Sequence, residues 1–369
     1  MHFYMIDNNN KLMIYVNKAP SYELLIEPDF SYLIDALRSL DMNGRRFMII
    51  TDSTVGSLYA KELKNILKSI VKSVSIFTFP AGEKSKNLDT VKDCYEKLIL
   101  EGFDRKDVLI ALGGGVVGDL TGFVASSYLR GIRFIQIPTS LLAMVDSSIG
   151  GKTGVDFKNY KNMVGAFYQP KLVYMNIATL ETLPMVEYLS GVSEIIKHGL
   201  IMDLDFYKWL KYNVTDIKSR KYSVISEMIR RSCQIKKEVV EEDPLEAGIR
   251  ALLNFGHTIG HSVEKLKNFS YLHGECVSIG ACAGAFISYK RSYLTYEEYE
   301  DIISTFKAFN QPVKVTGLDL NQIYDTTLLD KKMDGDRINF ILLKSIGEGV
   351  IDNSVTKDEM IEAIETILE

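Results

Sequence analysis

Five histidines occur in the chain, and four of them, His198, His257, His261 and His273, fall in its C-terminal half near carboxylates, so metal binding is the first chemistry to weigh. His257 and His261 are four apart, which puts both imidazoles on one face of a helix. They are not the zinc-protease pair, because that motif needs Glu at position 258 and Thr258 stands there. His273 lies in Tyr271-Leu272-His273-Gly274-Glu275, beside a glycine break and a carboxylate. Upstream, Glu194, Lys197 and His198 share a helical spacing. Two histidines and a carboxylate with an open position make a catalytic zinc site, whereas a lone histidine is more often a satisfied structural residue. Spacing alone leaves both readings open.

The same region predicts a longer polar stripe. Arg250, Asn254, His257, His261 and Glu264 are separated by 4, 3, 4 and 3, so a helix over 249–267 would carry them on one side and Leu252, Leu253, Ile259, Val263 and Leu266 on the other. Gly256 and Gly260 weaken such a helix by roughly 1 kcal/mol each relative to Ala, a poor choice unless something packs close there.

The second candidate chemistry is anion binding. A short aliphatic run, Val108 to Leu112, stops on Gly113-Gly114-Gly115, with Gly118 before an apolar periodic stretch: a strand, a tight turn and a helix start. Backbone without Cβ approaches a ligand closely, and the first-turn amides of a helix favour a diphosphate. Gly113, Gly115 and Gly118 satisfy G-x-G-x-x-G, but the turn comes late in the chain and the next strand ends in Pro138-Thr139-Ser140 instead of an acidic residue. Asp52, after the strand at 47–51, is the alternative ribose partner. Gly151-Lys152-Thr153 is not a P-loop, since Asp146 stands where its first Gly belongs. Asp146, Ser147, Ser148, Lys152, Thr153, Lys158, Asn159, Lys161 and Asn162 read as a polar, glycine-rich connection suited to a pocket, with a solvated loop the simpler reading of Lys158 and Asn159. Glu83 and Lys86, in the turn 80–86, fall on the same sheet edge and either touch a nucleotide or are solvated.

The elements that must position these groups change character along the chain. Strand-like runs at 12–16, 23–26, 47–51, 74–79, 108–112, 134–137 and 172–175, with helical patterns at 32–40, 58–71 and 90–101, predict an α/β domain with a mostly parallel, Rossmann-like sheet. Helical patterns follow at 185–204, 204–213, 221–240, 249–267, 274–291 and 295–308, with a strand signal at 338–343. The expectation is an N-terminal nucleotide-binding domain over 1–178 and an α-helical domain over 179–369, hinged at 179–184. A length of 369 residues suits two domains, and 46% hydrophobic residues suffice for ordinary cores. A net charge of −5 argues against nucleic acid or a membrane surface as partner. Four scattered cysteines without a C-x-x-C pair argue against a zinc module or a secreted disulfide framework. Residues 1–10 lack the pattern of a signal peptide, so a reducing cytoplasm is expected.

Taken in order, the strings Gly113 to Asp119, Pro138 to Gly154, Lys161-Asn162, Asn254 to His261 and Leu272 to Glu275 resemble the 3-dehydroquinate synthases, over most of the chain. That resemblance implies NAD and one divalent metal, zinc or cobalt, with the active site in the cleft between the two domains. It also implies conversion of the sugar acid phosphate 3-deoxy-D-arabino-heptulosonate 7-phosphate into 3-dehydroquinate and phosphate by oxidation, elimination, re-reduction, ring opening and aldol closure. By resemblance the metal falls to Glu194, His257 and His273, while His261 contacts substrate. Substrate and catalytic roles fall to Arg130, Asp146, Lys152, Lys197, Lys236, Glu246, Arg250, Asn254, His261 and Lys332; without the resemblance Lys236 and Lys332 read as surface lysines. NAD falls to Asp52, Glu83, Lys86, Gly114, Gly115, Val116, Asp119, Thr139, Ser140, Lys152, Lys161, Asn162, Thr179 and Thr182. Family members are commonly homodimers. The competing readings are another sugar phosphate cyclase, against which the intact 146–153 block argues, a metal-dependent NAD polyol dehydrogenase, and a non-catalytic nucleotide-binding module.

Overall fold

The computed structural model describes residues 10–158, 160–268, 270–331 and 339–369. The chain divides into two compact units, Met1–Leu183 and Pro184–Glu369.

The first unit is built on a seven-stranded sheet of β1 (Lys11–Val16), β2 (Ala19–Glu27), β3 (Arg46–Asp52), β4 (Ser73–Phe79), β5 (Val108–Gly113), β6 (Arg133–Pro138) and β9 (Leu172–Asn176), in the order β1-β2-β9-β6-β5-β3-β4. Only β1 runs antiparallel to its neighbour; the other pairings are parallel. Side chains alternate across the pleat, so the continuous apolar runs feed two cores at once. Met48, Ile50, Leu109 and Ala111 pack with α3 (Leu88–Leu100) and α4 (Gly115–Ser127) through Leu98, Val117 and Leu120. Phe47, Ile49, Val108 and Ile110 pack with α1 (Leu33–Ser39) and α2 (Lys61–Leu67) through Leu37 and Leu63. Each fully buried side chain of this size contributes about 2 kcal/mol. Parallel register also sets Asp52 against Phe79 and Gly113 against Pro138, so Asp52, the 80–86 turn, the glycine turn and Thr139-Ser140 all leave one edge of the sheet.

Two expectations need correction in this unit. The polar connection after Gly151 is an antiparallel hairpin, β7 (Lys152–Phe157) with β8 (Tyr160–Phe167). It escapes an alternation pattern because Gly154 faces Gly165, where a Cβ on Gly165 would stand 2.3 Å from the Thr153 carbonyl oxygen. The unit also extends past 178 to Leu183. A 3-10 turn, Ile177–Glu181, follows β9, the Ala178 amide donates to the Pro28 carbonyl at 3.2 Å, and the hydroxyls of Tyr59 and Thr182 are 2.5 Å apart.

The second unit is helical: α5 (Met185–Met202), α6 (Leu204–Tyr212), α7 (Tyr222–Glu242), α8 (His257–Leu266), α9 (His273–Lys290), α10 (Tyr296–Ala308), α11 (Leu320–Lys331) and α12 (Lys357–Ile367), with one antiparallel hairpin, β10 (Phe340–Ser345) with β11 (Glu348–Asp352). The helix expected over 249–267 is broken. A 3-10 turn covers Ile249–Asn254, and Gly256, at φ +80°, ends it before α8 begins. A Cβ on Gly256 would lie 2.8 Å from the Ala281 nitrogen and the Val277 carbonyl oxygen of α9, so the glycine serves both the left-handed turn and the close approach. Among the described residues, no helix is long and apolar enough to cross a membrane.

Candidate functional site

In the second unit the glycine contacts draw three helices onto one point. α5 is buried from Tyr188 to Ile201, which places Glu194, Lys197 and His198 inside the unit, at most 1% exposed. His257 opens α8 directly after the Gly256 turn, and His273 opens α9. Glu194 Oε1 stands 3.6 Å from His257 Nε2 and 3.4 Å from His273 Nε2. Two ligand atoms on one tetrahedral ion at about 2.1 Å are roughly 3.4 Å apart, so these residues fit a shared divalent cation. Both Glu194 oxygens are buried without a hydrogen bond, which is how a carboxylate awaiting a cation presents itself. Lys197 forms an ion pair with Oε2.

The imidazoles are aimed by their other nitrogens. His257 Nδ1 donates to the Phe255 carbonyl at 3.2 Å, since a carbonyl only accepts, and Nε2 is left with its lone pair. Burial, joined by the Lys197 charge, holds His257 well below the usual imidazole range and therefore neutral. His273 Nδ1 is 3.6 Å from Glu264 Oε2. Burial opposes its charge, but Glu194 and Glu264 outweigh burial and push His273 up to about 9. Burial would likewise raise Glu194, yet Lys197 and the two imidazoles hold it well below the usual carboxylate range.

His261 completes a trio whose nitrogens all fall within 4.8 Å of one another; it is exposed where His257 and His273 are half-buried. Lys236 and Arg250, 5% and 2% exposed, are buried cations, so the surface-lysine reading of Lys236 is wrong. Arg250 is fixed by its own bonds to the Pro244 carbonyl, 2.8 Å, and the Asp243 carboxylate, 3.1 Å from its amide. Asn254 Nδ2 lies 3.5 Å from Glu246 Oε1, and Glu246 is in the left-handed region at φ +61°. Because of the break at Gly256, Arg250 and Asn254 are not on the helix that carries His257 and His261. Lys332 and Asn159 lie outside the described residues. Glu264 was visible as part of the stripe, at i+7 from His257, but its place behind His273 depends on where α9 begins. Nothing in the sequence signals the Phe255 carbonyl.

In the first unit, five of the expected residues meet. Lys86, 4% exposed, donates from Nζ to Asp119 Oδ2 at 2.7 Å and Asn162 Oδ1 at 2.5 Å, and Lys161 stands 4.0 Å from Glu83. Burial works against the Lys86 ammonium, but Asp119 and Glu83 outweigh it and raise its pKa. Asp156, which sequence reasoning missed, ties the hairpin to the 80–86 turn by donating its amide to the Lys86 carbonyl and accepting from the Asn162 amide, both at 2.8 Å. Beside this cluster α4 starts at Gly115 with Gly114 as an uncapped N-cap, leaving Val116 in the first turn and amides free for an anion. Asp52 caps the next turn through Oδ1, with Thr54 and Val55 amides at 2.8 and 2.9 Å. The Thr139 amide donates to the Gly113 carbonyl at 3.0 Å and Ser140 Oγ accepts from the Ala143 amide at 3.2 Å, so both brace the turn. Asp146 is half-buried in the turn Ala143–Ser147, and Lys152 is exposed at the start of β7.

Some expected residues are placed elsewhere. Thr179 is buried with its hydroxyl on the Asn176 carbonyl at 2.7 Å, and Thr182 bonds Tyr59, so their side chains serve the fold. Arg130 is exposed, at φ +65°, beyond the C-terminal end of α4, while Asp119 sits in its N-terminal part. A rise of about 1.5 Å per residue along the helix keeps the two apart.

The family model described as 3-dehydroquinate synthase N-terminal matches residues 76–190, and that described as 3-dehydroquinate synthase C-terminal matches residues 191–333. A 3-dehydroquinate synthase of Acetivibrio thermocellus is 43% identical over 345 residues, 93% of this chain and 95% of the relative. One of Vesicomyosocius okutanii subsp. Calyptogena okutanii is 45% identical over 313 residues, 84% of this chain and 86% of that one. Among solved structures, a 2-epi-5-epi-valiolone synthase from Streptomyces hygroscopicus subsp. jinggangensis 5008, with NAD+ and Zn2+ bound, matches with a TM-score of 0.87 at 28% identity, covering 96% of this chain and 99% of that one.

Proposed function

The chain belongs to the 3-dehydroquinate synthase family, and on that premise we propose that it converts 3-deoxy-D-arabino-heptulosonate 7-phosphate into 3-dehydroquinate and inorganic phosphate. The observation that carries this reading is Glu194 Oε1 within 3.6 Å of His257 Nε2 and 3.4 Å of His273 Nε2, with both Glu194 oxygens buried and lacking hydrogen bonds. Glu194, His257 and His273 would hold a divalent ion, zinc or cobalt; Asp52, the Gly114-Gly115 turn and the Lys86 cluster would hold NAD. When bound, NAD supplies reversible hydride acceptance and the ion supplies Lewis acidity at a substrate oxygen. The NAD+ and Zn2+ bound by the structurally similar valiolone synthase support both assignments.

The chain's own residues do the rest. Lys197 balances the Glu194 charge, so the buried ligand set does not carry its anion alone. Arg250 grips a phosphate or carboxylate with a guanidinium already fixed by its neighbours, and Lys236 adds a point charge. His261, the exposed member of the histidine trio, would contact the substrate, where an imidazole can exchange a proton with a hydroxyl. The net reaction is redox-neutral, so NAD+ is needed only in catalytic amount. Phosphate release from the heptulosonate phosphate with trace NAD+ and no accumulation of NADH supports the reading. Stoichiometric NADH would instead indicate a polyol dehydrogenase, and turnover only of a different sugar phosphate another cyclase. The four buried cysteines suit a reducing cytoplasm, and we extend the proposal to a homodimer, which sedimentation tests.

A further inference from the structure

We propose that Glu264 is a positioning residue for the cation site: it holds the His273 ring so that Nε2, and not Nδ1, points at Glu194. This rests on the metal reading above. Along α8 (His257–Leu266), His257, His261 and Glu264 fall at i, i+4 and i+7, within an arc of about 60° around the helix, so one face carries all three toward the start of α9. Glu264 Oε2 stands 3.6 Å from His273 Nδ1 while His273 Nε2 is 3.4 Å from Glu194 Oε1, so the ring lies between two carboxylates with one nitrogen to each.

Glu264 is an expensive residue at this position, because it is only 7% exposed and sits in the last turn of its helix, where the dipole disfavours an anion. A residue chosen for the helix alone would be neutral or basic. Glycine packing removes the freedom the pair would otherwise have. A Cβ on Gly260 would stand 2.7 Å from the Cys276 carbonyl, and one on Gly274 would stand 1.9 Å from the Ser190 carbonyl, so α8, α9 and α5 are locked at backbone contact on either side of the ring. His257 is aimed in the same sense by the Phe255 carbonyl. The two ligand histidines thus have different anchors, one backbone and one side chain, and only the second can be removed by substitution. Carboxylate–histidine–metal relays of this kind raise metal affinity tenfold to a hundredfold.

The test measures Zn2+ affinity of the full-length protein by competition with a chromophoric chelator, alongside its thermal midpoint, for the parent, Glu264→Ala and Glu264→Gln. The expected result is Zn2+ affinity at least about tenfold weaker in Glu264→Ala, partly recovered in Glu264→Gln, whose amide oxygen still accepts from Nδ1, with no comparable ordering of the thermal midpoints. Equal affinity in the parent and Glu264→Ala overturns the positioning role and leaves the ligand set intact. A parent that binds no Zn2+ overturns the ligand set and the positioning role together.

Discussion

The Lys86 cluster of the first unit and the Glu194 centre of the second are both buried charge clusters, and they are satisfied in opposite ways. Lys86 already reaches Asp119 and Asn162 at hydrogen-bond distance, and Asp156 clamps the surrounding loops, so the cluster is a finished scaffold that shapes a sheet edge. Glu194 has one cation on one oxygen and two imidazole nitrogens 3.4 and 3.6 Å from the other. The first arrangement is satisfied by the chain's own side chains, whereas the second leaves both Glu194 oxygens buried and suited to a cation. A charged cluster is therefore a poor guide to a metal site until its hydrogen bonds are accounted for, since buried polar groups are otherwise nearly always paired.

Substitutions that break the two clusters should separate stability from chemistry. The largest effect is expected at Glu194→Gln and His257→Ala, which should lower phosphate release by roughly three orders of magnitude or more while circular dichroism stays that of the parent. Activity within tenfold of the parent would remove the metal from the account. Lys86→Met should act mainly on stability: it leaves Asp119 buried without its cation, at a cost of about 3 kcal/mol in denaturant unfolding, with NAD+ affinity falling about tenfold. Unchanged stability would show that the cluster is not the scaffold described. Gly256→Ala, at φ +80° and against the α9 backbone, should cost about 2 kcal/mol and weaken cation binding with it, because the turn sets where α8 starts.

The smallest effect belongs to a pair outside both clusters. Arg291 hydrogen-bonds Glu359 and lowers its pKa to about 2 from 4.5. A depressed carboxylate stabilises the fold above its unfolded pKa and loses that contribution as pH falls through its folded one. Arg291→Gln should thus cost about 1 kcal/mol at neutral pH, after allowance for solvent screening, and the gap from the parent should narrow as pH falls from 4.5 toward 2. Denaturant midpoints across that range check it; a gap that widens on acidification contradicts the assignment.

Much of the fold was legible because buried parallel strands such as Val108–Gly113 are continuous apolar runs closed by glycine, because α7 keeps its apolar period over many turns, and because α5 and α9 are long apolar runs of helical length. The β7–β8 hairpin was not, since its facing glycines carry no pattern. Nor was the break at Gly256: in sequence Gly256 and Gly260 look alike, and only the packing of α9 distinguishes a left-handed turn from a mid-helix close contact. The chemistry of the second unit could be read as histidines and a carboxylate, but spacing paired His257 with His261. The partner that shares Glu194 Oε1 with His257 is His273, brought in from another helix, and it was reached through the family resemblance.

The central claim is that Glu194, His257 and His273 hold a divalent cation. The direct measurement is the Zn2+ stoichiometry of purified protein, stripped with chelator and titrated back, for the parent, Glu194→Ala and His273→Ala. The account predicts a single tight site per chain in the parent and its loss in both variants; an undiminished tight site in either would contradict it.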